Sequence, residues 1–128
     1  MKNKSMIIMI ISYLVSIIQS LYYLPRLPQN VAVHFGGTGA ANNWGNRQFL
    51  ITFDLAVITV IFAMFITITL LIKHISSEMI NLPDKNYWLS GEKKEKTLTI
   101  IQNILSEFGL ATIILLLIIF EIVYRTNV

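Results

Sequence analysis

Three long apolar runs, Met6 to Leu24, Phe49 to Ile72 and Phe108 to Val123, restrict what this chain can become more than any other feature. A helix rises about 1.5 Å per residue, so about 20 apolar residues cross a hydrocarbon core of about 30 Å. The first run has that length. The second exceeds it and is predicted to tilt, and the third reaches it if its helix enters the core near Leu105. Backbone polar groups in lipid must be satisfied within the segment, so each run is predicted to be helical. Composition agrees, with 55% hydrophobic and 13% charged residues, against about 25% charged in soluble domains. The expectation is an all-α membrane protein forming one integral domain over residues 1–128. Spans are placed at about 6–24, 49–72 and 105–124, with an outer loop at 25–48 and a cytoplasmic connection at 73–104.

The loop between the first two spans is more than a linker. It holds two of the three prolines and four of the six glycines. Pro25 and Pro28 stop the preceding helix, because proline lacks an amide proton and restricts the residue before it. Val31, Val33 and Phe35 alternate with Ala32 and His34, the period of a short strand with one apolar face and His34 on the other. Gly36, Gly37 and Gly39 permit a tight reversal, and Asn42, Asn43 and Gly45 predict a second turn. Trp44 suits the headgroup level.

The pattern Leu27-Pro28, Val31, Val33-His34-Phe35, Gly39, Trp44-Gly45, Arg47 resembles the signature of a bacterial membrane domain family of unknown function. That domain also occurs in SdpI-type immunity proteins, which protect producing cells from their own secreted toxic peptide. Asn81-Leu-Pro-Asp-Lys-Asn-Tyr-Trp-Leu-Ser, ahead of a charged helix start, is similar to a second landmark of those proteins. The resemblance implies protection against, or sensing of, a toxic peptide or envelope stress in the bacterial cytoplasmic membrane. A small accessory subunit packed on a larger transporter or sensor is the alternative.

Helix faces predict the packing. Ser12, Ser16, Gln19, Ser20 and Tyr23 share one face of the first span, suited to contact with another helix. In the second span the small residues Thr52, Ala56, Thr59, Ala63 and Thr67 form a stripe on which close helix approach is expected. Asp54 lies roughly opposite that stripe and faces another helix, the folded-back loop or the headgroups. An ionisable residue within a span is a functional candidate because its burial is costly. Beyond Ser90, a plausible N-cap, Leu98, Ile101, Leu105 and Phe108 with Ile104 form an amphipathic seam leading into the third span. Gly109 permits a bend there. Glu121 and Arg125, four residues apart, predict a local ion pair.

Charge sets the expected topology. Lys2, Lys4, Lys73, Lys85, Lys93, Lys94 and Lys96 make seven basic side chains on one side, against Arg26, Arg47 and Arg125 on the other. The positive-inside rule then puts the N-terminus and the 73–104 connection in the cytoplasm and the C-terminus outside. The first run is long for a signal peptide and lacks a small-x-small cleavage site, so a retained anchor is expected.

Enzyme chemistry finds little support. With no cysteine, no disulfide or thiolate site exists. His34 and His74 fall on opposite sides of the bilayer, His74 with Glu78 lacks the second histidine of a zincin helix, and Gly36-Gly37-Thr38-Gly39 lacks the Gly-Lys-Ser/Thr of a phosphate loop. Neither catalytic residues, nor a metal, nor a cofactor is assigned, and the net charge of +3 flanks apolar runs instead of forming a nucleic-acid stripe. His34, Trp44, Arg47, Asp54 and Glu121 remain as candidates for one outer-face site binding a ligand or partner. Pro25, Pro28, Phe35, Gly37, Gly39 and Gly45 are assigned to shaping the loop. Expected partners are the lipid bilayer and a toxic peptide or membrane protein.

Overall fold

The computed structural model describes residues 3–128, so Lys2 of the basic count lies outside it. Three of its helices are long and apolar enough to cross a membrane: α1 (Lys4–Tyr23), α2 (Arg47–Leu71) and α4 (Lys93–Asn127). Between α1 and α2 stands an antiparallel hairpin, β1 (Asn30–Phe35) and β2 (Ala41–Asn46). Between α2 and α4 come a 3-10 turn at Ser77–Met79 and the short α3 (Lys85–Trp88). The protein is mostly helical, and its one sheet is this two-stranded hairpin among the described residues.

The outside of the bundle is apolar, unlike that of a water-soluble protein, and its interior mixes apolar side chains with a seam of polar ones. Ser12, Ser16, Ser20, Asp54, Thr69 and Ser106 are buried, while Ile11, Ile18, Leu21, Val60, Phe108 and Ile122 are exposed. An apolar skin over a polar seam suits lipid, because small and hydroxyl residues let helices approach and bond to one another. α1 buries the serine face that its sequence predicts. Asn3 caps α1 by accepting from the Met6 amide at 3.1 Å and also pairs with Ser106 of α4. Along the same seam Gln19 donates to the Leu117 carbonyl at 3.2 Å, so α1 and α4 run side by side in the same direction.

Three apolar layers stack along the bundle. At the hairpin end Tyr23, Leu27, Val31, Leu50, Ile51, Phe120 and Tyr124 pack together. Met9, Ile58 and Ile113 fill the middle. At the far end Ile72, Ile80, Leu89 and Leu98 join the 73–92 connection to α4.

Several expectations need correction. Thr52, Ala56, Thr59, Ala63 and Thr67 of α2 all face outward, and the packing face is instead Leu50, Ile51, Asp54, Ile58 and Thr69. Exposing Ala or Thr to lipid costs little, whereas exposing a carboxyl costs much, so Asp54 sets the rotation of the helix. Thr59 alone of the stripe bonds another helix, meeting the Tyr13 hydroxyl at 3.0 Å. Asn42, Asn43 and Gly45 form a second strand, not a second turn, because pairing with β1 overrides their weak strand propensity. Of the loop glycines only Gly39 takes a positive φ, 82°, so Gly36 and Gly37 are not needed for that reason. Ser90 donates to the Tyr87 carbonyl and does not cap α4.

α4 is one unbroken helix of 35 residues through Gly109. A Cβ there would lie 2.6 Å from Met9 Sδ and 2.9 Å from Phe65 Cβ. The glycine therefore serves close approach of three helices and not a bend. Within the predicted seam, Leu98, Ile101 and Leu105 pack beneath the connection, while Ile104 and Phe108 are exposed.

Candidate functional site

The hairpin is held on the bundle at its base and along the outer edge of β1. Arg47 donates from its backbone amide to Gln29 O at 3.1 Å and from its guanidinium to Leu27 O at 3.0 Å, tying the first residue of α2 to the chain leaving α1. Within β1 the Asn127 side chain accepts from the Ala32 amide at 2.7 Å and donates to the Ala32 carbonyl at 3.0 Å. That two-way pair takes the place of a neighbouring strand and closes the outer edge of β1, which would otherwise present unpaired backbone groups. Val31 is fully buried and Val33 packs partly against the same cluster, with Phe35 half-buried beyond them.

Pro25 and Pro28 lie in the turn that links α1 to β1, both exposed, where Arg26 and Leu27 donate backbone bonds to the Tyr23 carbonyl. Gly45 faces Val33 across the hairpin, with a Cβ position 3.5 Å from the Val33 side chain. His34 is exposed and bonds to the side chain of Asn42, which adjoins its register partner Asn43. Trp44 is exposed too, its amide capped by the Asn43 side chain at 2.9 Å. The hairpin thus offers an imidazole and an indole on an ordered frame, apart from the acids below.

Asp54 lies in the helix seam with 0% exposure. Its Oδ2 accepts from Ser20 Oγ of α1 at 3.0 Å and from the Tyr124 hydroxyl of α4, so one carboxyl joins all three long helices. Oδ1 has no hydrogen-bond partner among the described residues. An unmatched buried acceptor costs about 1–3 kcal/mol.

Glu121 lies on the outer side of the α1–α4 seam. Tyr23 OH donates to it at 2.8 Å, Gln19 Nε2 at 2.9 Å and Arg125 Nε at 2.7 Å, so the ion pair read from the sequence forms within a larger cluster. A shallow groove of about 420 Å³ opens there between Val15, Ile18, Tyr22, Gln19, Glu121 and Arg125. The Tyr23 and Tyr124 rings stack at 4.8 Å, which connects the half-buried Glu121 cluster to the buried Asp54 cluster. Of the five candidate residues, the structure joins Asp54 and Glu121 through two tyrosines. Arg47 is tied to the hairpin base, and His34 and Trp44 stand on the hairpin itself. Among the described residues, no three His, Cys, Asp or Glu side chains are arranged to hold a metal ion.

Tyr124 and Asn127 escape the sequence reading. Tyr124 continues the spacing of Ile113 and Phe120, both buried in α4, and that periodicity is the one signal that points to it. Nothing near Asn127 distinguishes it from an ordinary polar helix end.

Residues 7–60 match the protein-family model described as "Domain of unknown function (DUF1648)". The match runs from α1 through the hairpin into α2, and so contains His34, Trp44, Arg47 and Asp54 but not Glu121 or Tyr124. No curated protein and no solved structure matches the chain.

Proposed function

We propose that this chain is a small multi-pass protein of the bacterial cytoplasmic membrane that intercepts a toxic peptide or senses envelope stress. The reading follows the resemblance to SdpI-type immunity proteins, and the role is binding, not catalysis. Its N-terminus is cytoplasmic and its C-terminus external, on the asymmetry of lysine against arginine. The observation that supports it is the pinned hairpin: Asn127 closes one strand edge, and His34 and Trp44 are left exposed above it. A recognition surface ordered in advance loses less entropy on binding than a mobile loop does.

Two measurements test this. Cysteines placed one at a time at Thr38, Ser90 and Thr126 are expected to react with an impermeant reagent on intact cells at Thr38 and Thr126 only, and the reverse pattern would remove the outer site. Expression in sensitive cells challenged with a toxic peptide is expected to raise survival, and the pair His34→Ala and Trp44→Ala to abolish that gain at equal protein yield. No protection by the wild-type chain would defeat the immunity reading.

One observation favours a second reading, an accessory subunit on a larger transporter or sensor. Apart from Thr59, which bonds Tyr13, the small-residue stripe of α2 is exposed and open to close approach by a helix of another protein. Co-purification of a larger complex that Ala63→Leu disperses, without loss of the folded chain, would support it over the first.

A further inference from the structure

α4 is longer than a bilayer requires. Its 35 residues extend roughly 52 Å at about 1.5 Å per residue, against a hydrocarbon core of about 30 Å. The excess lies largely at its N-terminal end, where the helix passes beside α3. There a groove of about 470 Å³ is walled by Leu82, Trp88, Lys93, Lys96, Ile100 and Ile104.

The order of chemistry along this groove is directional. Lys93 and Lys96 stand at one end, and neither is in an ion pair among the described residues. Lys93 Nζ lies 4.0 Å from the centre of the Tyr87 ring, which holds the ammonium at the mouth. Trp88, 45% exposed, forms a side wall. Ile100 and Ile104 follow on the same face of α4, and the exposed Phe108 continues that stripe into the crossing segment. Lys96 and Ile104 are separated by roughly 12 Å along the axis at about 1.5 Å per residue. The nearby Glu95 is engaged by Lys73 at 2.7 Å, so it does not neutralise the groove lysines.

From this sequence of cation, aromatic ring and aliphatic stripe we infer that the groove is a binding site for an anionic phospholipid. The phosphate sits between Lys93 and Lys96, and the start of an acyl chain lies along Ile100 and Ile104. Basic side chains near a membrane surface recognise anionic headgroups in this way. A soluble anion would use only the lysines, and a zwitterionic lipid would gain little from them. The site stands on the helix geometry and holds whichever way the chain is inserted.

Trp88 provides the probe. With Trp44→Phe as background, the full chain is reconstituted in phosphatidylcholine nanodiscs containing a small fraction of lipid brominated on its acyl chains. Quenching of Trp88 is compared for brominated phosphatidylglycerol and brominated phosphatidylcholine at equal fraction. Selective quenching by the anionic lipid is expected. Each lysine contributes about five-fold in affinity, so Lys93→Gln with Lys96→Gln is expected to lower the preference about thirty-fold. The control pair Lys4→Gln with Lys94→Gln, which removes the same charge outside the groove, is expected to retain most of it. Equal quenching by both lipids would overturn the inference, as would an equal loss in the control pair or displacement of the lipid by inorganic phosphate.

Discussion

Gly109 gives the sharpest test of the bundle. Replacing it with Ala places a methyl carbon 2.6 Å from Met9 Sδ and 2.9 Å from Cβ and Cγ of Phe65. Unstrained carbon contacts lie at about 3.5–4.0 Å, so the shortfall at Phe65 is about 0.6–1.1 Å. Met9 can rotate its thioether away, although it is fully buried and has little room. Phe65 Cβ is fixed to its backbone, so relief there requires α2 and α4 to separate. Overpacking of this kind costs about 1–3 kcal/mol, and alanine returns about 1 kcal/mol through better helix propensity. The net expectation for Gly109→Ala is a loss of about 1 kcal/mol, rising to about 3 kcal/mol or more for Gly109→Leu. The assay is reversible unfolding in mixed micelles titrated with dodecyl sulfate and followed by circular dichroism. Ala111→Leu, on an exposed position two residues on, is the control and is expected to stay within about 0.5 kcal/mol of wild type. Met9→Ala combined with Gly109→Ala is expected to cost less than the sum of the two, since one obstacle is then absent. If Gly109→Leu is as stable as Ala111→Leu, the three helices do not meet at this glycine and the reasoning fails.

The remaining expectations use the same chain in the same micelles. Ile58→Ala, at a position 1% exposed, is expected to lose about 2–5 kcal/mol, while Ala56→Leu and Ala63→Leu stay within about 0.5 kcal/mol. A larger loss at Ala63 would mean that another helix covers the stripe in the folded state. Asn127→Ala leaves the Ala32 amide and carbonyl unmatched, so hydrogen exchange at Ala32 is expected to quicken by about five-fold to about 150-fold, from about 1–3 kcal/mol of lost protection. Unchanged exchange would show that the hairpin does not depend on α4. Gly39→Val is expected to open the hairpin turn to protease, because a β-branched residue at φ 82° costs about 1–2 kcal/mol. Gly37→Val, in open space with no positive φ, is expected to leave cleavage unchanged.

How far the sequence is legible depends on what each residue risks by facing lipid. Three spans follow from hydropathy, and the serine face of α1 follows from the rule that polar side chains in a span turn inward. The same rule fails on α2, where small residues compete with one carboxyl for the interior. Ala56 and Thr67 lose little by facing out and Asp54 would lose much, so a single residue outweighs a stripe of five. β1 is legible as a strand from its alternation, but Ala32, expected on the open face with His34, is buried beneath Asn127. β2 is not legible, because Asn42, Asn43 and Gly45 carry turn chemistry and take strand geometry only through their partner. Glu121 and Arg125 are legible as a local pair, and the Gln19 and Tyr23 contacts that enlarge it come from another helix. Tyr124 and Asn127 reach residues 70 and 95 positions away, separations that no local pattern encodes.

The contacts between α1 and α4 also dictate an order of assembly. A chain made from its N-terminus inserts α1 and α2 before α4 exists, and in that interval Ser106 cannot answer Asn3, nor Tyr124 answer Asp54. Ser20 can meet Asp54 once two helices are in the bilayer, so the carboxyl has one donor to wait with. The hairpin waits longest, because the amide that clasps β1 belongs to the last turn of α4. A nascent chain stalled before that turn therefore carries an unclasped β1 edge, open to protease and to pairing with any extended segment nearby.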